Sequence, residues 1–175
     1  MRVIGGEFRS RRLKSPPGLD VRPTPDRLRE TLFDVLGPRI DAVVFLDVYA
    51  GTGAVGIEAL SRGAARALFI ERGRAAVEVI RENLQSLGIA GRAQVVHGKA
   101  TLWIPRLTAD IVFLDPPYTL ENEYGASLAL LGERPPALTI AQHAARISLE
   151  PEYIGLQRTR VIRQSDNALS FYEPI

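Results

Sequence analysis

Cysteine is absent from the chain, which excludes disulfides, thiolate metal ligands and a cysteine nucleophile. Lysine is almost absent: only Lys14 and Lys99 occur, and every other basic side chain is arginine. The two histidines, His97 and His143, have no second histidine or carboxylate at ligand spacing, so no metal site is expected. No run is apolar for the roughly 20 residues that a membrane-spanning helix needs. The opening Met1-Arg2-Val3-Ile4-Gly5-Gly6 has no apolar core of the signal-peptide kind. A cytoplasmic location away from any membrane is therefore expected. Internal repeats and low-complexity segments are also missing.

What is present suits one globular domain. The chain has 175 residues, 46% hydrophobic and 24% charged, enough to bury a core without staples. The net charge is only +2, but its distribution is uneven. Arg2, Arg9, Arg11, Arg12, Lys14, Arg22, Arg27 and Arg29 crowd the first thirty residues, against Glu7, Asp20, Asp26 and Glu30. The planar fork of arginine suits phosphate and stacks on bases. A solvated basic face accounts for the same composition.

Residues 2–13 suggest a short hairpin or an extended arm, followed by a Ser15-Pro16-Pro17-Gly18 turn. Thr24 fits an N-cap, Pro25 the first helical position and Asp26 the positive end of a helix dipole. The helix should run to about Leu36, with Leu28, Leu32 and Val35 on one face and Gly37-Pro38 as its stop. From residue 43 the pattern becomes β-α-β. Strands are expected at 43–48, 67–71, 93–97 and 111–115, and helices at 55–62, 75–87 and 122–131. The strands are continuous apolar runs, as when both sheet faces are covered. The expected fold class is α/β, Rossmann-like, with a mostly parallel central sheet and helices on both faces. Further strands at 138–141, 159–162 and 168–172 suggest a closing antiparallel hairpin.

Two constellations carry chemistry. The first is Asp47-Val48-Tyr49-Ala50-Gly51-Thr52-Gly53-Ala54-Val55-Gly56. Its glycines follow a strand and open a helix, where the backbone must turn tightly and approach a ligand. Glu71 ends the next strand, where an acid can hold ribose hydroxyls. Asp47 ends the strand before the loop. A carboxylate there is unfavourable beside a pyrophosphate and favourable for a ligand with an amine and a sulfonium. That points to S-adenosylmethionine rather than NAD, with a cap for the following helix as the plain structural reading of Asp47. Asp47, Tyr49, Ala50, Gly51, Thr52, Gly53, Glu71 and Arg72 are the candidate donor-binding residues.

The second is Asp115-Pro116-Pro117-Tyr118, at the carboxyl end of a strand, where open α/β sheets bind ligands. Proline has no N–H, so the loop offers acceptors: the Asp115 carboxylate and the Pro116 carbonyl. An exocyclic amine on a base has two hydrogens to give. Holding both would aim the nitrogen lone pair at a methyl group, with Tyr118 as a stacking face.

Here the sequence resembles class I methyltransferases that act on amino nitrogens. More narrowly, it is similar to the bacterial 16S rRNA (guanine-N2-)-methyltransferase family. The likeness rests on Arg2-Val3-Ile4-Gly5-Gly6, Arg9-Ser10-Arg11, Arg22-Pro23-Thr24, Asp26-Arg27-Leu28-Arg29-Glu30 and Leu32-Phe33. It continues through the glycine loop, Ile57-Glu58-Ala59-Leu60-Ser61-Arg62-Gly63-Ala64, Glu71, Asn83 and Asp115 to Tyr118. It implies methyl transfer to the N2 amine of a guanine in rRNA or the small ribosomal subunit by a monomer. It also implies residues 1–22 as an arm for RNA contact, with Arg9, Arg11, Arg12, Arg22, Arg27 and Arg29 on RNA. Residues 23–175 then form the catalytic domain, with Asp115, Pro116, Pro117 and Tyr118 as catalytic residues. Three places depart from the pattern: Lys99 where an adenine-binding acid or amide is usual, Gln142-His143 where the fifth strand often ends in glutamate, and Ser165-Asp166-Asn167 where a glycine is expected.

Rival readings are adenine-N6 or DNA methylation, a NAD-dependent oxidoreductase and a non-catalytic RNA-binding protein. The oxidoreductase leaves Asp47 and residues 115–118 without a role. Trp103 reads as core or rim, and Leu32 and Phe33 as core.

Overall fold

The structure, a computed structural model, describes residues 1–17, 24–117 and 119–175. Arg22 and Tyr118 lie outside the described residues. The elements are α1 (Asp26–Leu36), β1 (Val44–Val48), α2 (Ala54–Ser61), β2 (Arg66–Glu71), α3 (Arg74–Ser86), β3 (Ala93–His97) and α4 (Ala100–Trp103). They continue as β4 (Ile111–Leu114), α5 (Asn122–Glu133), β5 (Leu138–Ala144), β6 (Glu152–Tyr153), β7 (Leu156–Gln164) and β8 (Asn167–Pro174).

One eight-stranded sheet runs β3-β2-β1-β4-β5-β8-β7-β6. The first five strands are parallel, and β6, β7 and β8 pair antiparallel. The chain winds outward from β1 to β3 on one side and from β4 on the other. The switch point therefore lies between β1 and β4, where sheets of this kind open a ligand crevice.

Period-two alternation sorts the strand side chains between two faces. Phe45, Ile111, Phe113, Leu138, Ile140, Leu169 and Phe171 pack against Leu28, Leu32, Phe33 and Leu36 of α1 and Val55 and Ala59 of α2. Leu46, Val48, Val112, Leu114, Ala141 and Tyr172 face the other way, against α4 and against Tyr124, Leu128 and Leu131 of α5. Phe69, Ile80, Leu84, Ile57 and Leu60 knit α2 and α3 to β2, with Val3 and Leu13 added from the N-terminal segment. Helices thus cover both faces, as the β-α-β reading requires.

Several sequence expectations shift. Thr24 does not cap α1: Pro25 holds the cap position, with no side-chain bond. The first helical N–H, from Arg29, bonds the Pro25 carbonyl, so the turn begins one residue later than Thr24 requires. The apolar stripe of α1 is Leu28, Leu32 and Leu36, while Val35 is half-buried. Strands β5, β7 and β8 run longer than expected, because pairing with one another carries polar residues into the ladder. The four-residue α4 and two-residue β6 are too short to show a period. The N-terminal segment folds back on itself through one antiparallel bridge, Arg2 to Arg12. In the β7–β8 turn, the place where a glycine is expected has a φ of +54° at Ser165. The left-handed conformation is kept and a serine carries its steric cost.

Candidate functional site

Three loops meet at the carboxyl ends of β2, β1 and β4, which are adjacent in the sheet. The loop after β1 contains Gly51 and Gly53, both at positive φ, +59° and +81°. Gly56 sits where α2 presses on β2, and a Cβ there would strike the Phe69 ring. The glycine spacing therefore serves both the turn and the helix–sheet contact.

Glu71 ties two of these loops together. Its Oε1 accepts the Gly51 N–H at 2.9 Å, and its Oε2 accepts the Gly73 N–H at 2.6 Å. A carboxylate has about four acceptor sites, so capacity for ribose hydroxyls is left. The Arg72 carbonyl is 3.1 Å from His97 Nε2, which occupies the carboxyl end of β3. Its own side chain is exposed.

Asp47 is 2% exposed, and its Oδ2 accepts the Gly56 N–H of α2 at 2.9 Å. The cap reading of Asp47 is thus realised, from a distance of nine residues in sequence. Burial raises its carboxyl well above the usual carboxylate range. The Gly56 N–H opposes the shift, and the charges of Asp115 and Glu71 push it further up. Three acids therefore share one electrostatic neighbourhood.

Tyr49 has φ +62°, a left-handed conformation that costs a non-glycine residue stability and that clusters at functional sites. Its hydroxyl donates to Glu123 Oε2 at 2.7 Å and lies 2.8 Å from Ser127 Oγ. These bonds from α5 hold the first residue of the glycine loop. Burial, then the Glu123 carboxylate, push the phenol well above its usual value, while Ser127 opposes the shift. Thr52 is buried, its carbonyl accepting from Asn83 Nδ2 at 3.2 Å. Ala50 donates its N–H to the Ile70 carbonyl. In the second constellation Asp115 is half-buried, Pro116 buried and Pro117 exposed. Trp103 is half-buried at the rim of the α4–α5 side, with the Arg106 guanidinium 5.4 Å from its ring centroid.

The arginines of the N-terminal third divide. Arg9, Arg11, Arg12 and Arg27 are exposed. Arg29 is not: it is 0% exposed, which corrects the expectation that it contacts RNA. It donates from Nη2 to the Arg2 carbonyl at 2.6 Å and to Asp26 at 3.1 Å, and its Nε lies 3.6 Å from Glu58 Oε1. Spacing alone put Arg29 among exposed neighbours, but α1 turns it inward beside Leu28 and Leu32.

Glu58 is the residue that sequence reasoning passed over. It is 0% exposed and lies in the middle of α2. Its two oxygens accept the Ile4 and Gly5 N–H groups, each at 2.9 Å, and Arg62 Nε at 2.9 Å. A glutamate inside the run Ile57-Glu58-Ala59-Leu60 was the available signal. Nearby, Gly6 has φ +78°, and a Cβ there would collide with the Ser61 carbonyl. The arm is therefore docked on α2 by buried charge and close backbone contact. Its exposed Arg9 and Arg11 fall at the far ends of α2 and α3, where the arm meets Ser61 and Ser86.

A family model described as "Conserved hypothetical protein 95" matches residues 1–173. "Putative rRNA methyltransferase YlbH" of Bacillus subtilis (strain 168) is 35% identical over 164 residues, covering 89% of this chain and 88% of that protein. "Ribosomal RNA small subunit methyltransferase D" of Escherichia coli (strain K12) is 46% identical over 120 residues, covering 67% of this chain and 60% of that protein. The solved structure of yhhF from Escherichia coli matches with a TM-score of 0.84 at 36% identity, over 99% of this chain and 97% of that one.

Proposed function

The chain belongs to the conserved hypothetical protein 95 family, and from that premise we propose that it transfers a methyl group from S-adenosylmethionine to the exocyclic N2 amine of a guanine in small-subunit (16S) rRNA. Relatives of this chain are named rRNA methyltransferases, and in this reading the chain is an S-adenosylmethionine-dependent rRNA methyltransferase on a Rossmann-like sheet. The observation that carries the site assignment is the gathering of Asp47, Glu71 and Asp115 at neighbouring strand ends. Acids gathered at one crevice disfavour a pyrophosphate and favour a cationic donor, whose positive charge in turn favours the ionised form of the buried Asp47. This disfavours the NAD reading on electrostatic grounds.

S-adenosylmethionine supplies an electrophilic methyl group on a sulfonium, so the protein mainly positions the partners. Glu71 holds ribose hydroxyls, and the loop Tyr49, Ala50, Gly51, Thr52, Gly53 lies against the donor, with Arg72 at its edge. Asp47 acts through its charge and by fixing α2 through the Gly56 N–H. Asp115 and the Pro116 carbonyl accept the two amine hydrogens of the guanine. Pro117 stiffens the loop and Tyr118 stacks on the base. The base must leave its helix or stack first. Exposed Arg9, Arg11, Arg12 and Arg27, with Arg22, hold phosphates, giving strongly salt-dependent binding. The acting unit in this reading is a monomer in the cytoplasm, where ribosomal subunits are made.

The test is transfer of labelled methyl from S-adenosylmethionine to small ribosomal subunits from cells lacking this protein, with free rRNA and genomic DNA alongside. Label released as N2-methylguanosine supports the reading. Label only in DNA or in N6-methyladenosine replaces it with a rival. No label together with no donor binding sinks it.

Asp47→Asn separates stability from donor binding. Asparagine still accepts the Gly56 N–H but carries no charge. The native carboxyl is raised above its unfolded value, so the native state binds the extra proton. Wild-type stability therefore falls as pH rises from about 3.9 through the native value. The melting-temperature advantage of the asparagine variant should grow from pH 4 toward pH 7, while calorimetric affinity for S-adenosylmethionine drops. An advantage that is flat with pH would show that Asp47 is not raised.

A further inference from the structure

Among the described residues, Thr139 Oγ1, Gln142 Oε1 and Gln164 Oε1 are buried side-chain oxygens with no hydrogen-bond partner. A buried polar atom without a partner is costly and calls for an explanation. Thr139 alternates with Ala141 and faces the α5 side. The other two share a different place.

The register fixes that place. Leu114, the last residue of β4, pairs with Ala141, so Gln142 sits at the level where the chain leaves β4 at Asp115. Ala144 pairs with Asn167, and Asn167 with Gln164, so Gln164 lies two residues further toward the same end, on β7. Phe113, Ile140 and Leu169 belong to the α1-side core, with Ile162 packed against it. Alternation therefore puts Gln142 and Gln164 on the α1 face, at the carboxyl end of the sheet, where Asp115 follows β4. Gln142 is 5% exposed.

We propose that Gln142 selects the target base: its Oε1 accepts the ring N1–H of guanine while Asp115 and Pro116 hold the adjacent N2 amine. This deepens the guanine-N2 reading and rests on it. Guanine carries a ring N–H next to its amine. Adenine and cytosine carry a bare ring nitrogen next to theirs, which is an acceptor. With its unpartnered oxygen toward the base, the Gln142 amide completes a bond with the first and faces an unpaired acceptor with the others. Strands stand about 4.8 Å apart, close enough for side chains from neighbouring strand ends to converge on one base edge. A site built to hydrogen-bond its substrate strongly rejects one lacking the donor.

The experiment uses small ribosomal subunits reconstituted with either guanine or 2,6-diaminopurine at the methylated position. Diaminopurine keeps the N2 amine and lacks the ring N–H. Wild-type enzyme should prefer guanine in kcat/KM by about 10- to 100-fold, the range one bond of this kind supports. Gln142→Met should lose about that factor on guanine and little on diaminopurine, so that the preference collapses, with calorimetric donor affinity unchanged. Gln142→Glu, which keeps an acceptor, should retain the preference. An equal fall on both substrates would assign Gln142 to packing, and an absence of preference in the wild type overturns the proposal without any variant. Release of N2-methylguanosine by the wild type keeps the proposed function intact whichever way the variants fall. Another methylated base as the product overturns both.

Discussion

Asp115→Ala is expected to cut methyl transfer by at least about 100- to 1,000-fold, the cost of removing one preorganised polar contact at a reacting group. The carboxylate does its work on the amine as the new bond forms, so the loss should fall on kcat more than on KM. Affinity for S-adenosylmethionine, read by calorimetry, should fall far less than turnover, by about 3-fold, because Asp115 holds the base and contributes to the donor only a partly screened charge. Asp115→Asn keeps one acceptor oxygen and should retain more activity than alanine. A variant that no longer binds donor would move Asp115 from the base to the donor side of the crevice. A melting curve guards against mistaking unfolding for lost chemistry. Because Asp115 helps to raise the buried Asp47 carboxyl, its removal relieves one source of strain in the fold.

The second large effect concerns Glu58. Replacing it with alanine removes the acceptor for two arm amides and for Arg62, and strands Arg29 at 0% exposure without its buried partner. Burial already lowers the Arg29 guanidinium from its ordinary value, while Glu58 and then Asp26 raise it back. Breaking a buried pair on one side costs about 3–5 kcal/mol. For a chain of this size that lowers the melting temperature by roughly 6–20 °C. Hydrogen exchange should speed up first at the Ile4 and Gly5 amides. If the exposed arm arginines hold RNA, affinity for the subunit should fall at temperatures where the variant is still folded, and its salt dependence should weaken. A shift below about 2 °C with unchanged exchange at these amides would show that the arm is held by its apolar contacts alone.

The two variants probe different parts of one sequence pattern. Asp115 stood out because a carboxylate followed by two prolines at a strand end has little structural use. Glu58 did not, because a glutamate is common on helices and nothing in the spacing says which face it takes. Its role depends on the arm lying over α2, a long-range contact that local periodicity does not encode. Arg29 failed for the same reason. It stands among exposed arginines in sequence, yet α1 packs with its inner stripe shared by Leu28, Arg29, Leu32, Phe33 and Leu36.

The sequence by itself determined the α/β class, the order of strands and helices from β1 to β5 apart from the short α4, and the places of the two loops proposed to carry the chemistry. These follow from local signals: continuous apolar strands, helical periods, glycines that only a tight turn explains. Only the tertiary structure decided what depends on register and burial. That includes Glu71 joining the β1 and β2 loops, Tyr49 held from α5, Asp47 serving as a buried cap, and Glu58 docking the arm. It also includes Gln142 at the level where the chain leaves β4 at Asp115. The physical reason is the same in each: hydrogen bonds and charge pairs between residues far apart in sequence form only once the sheet has set which strands are neighbours.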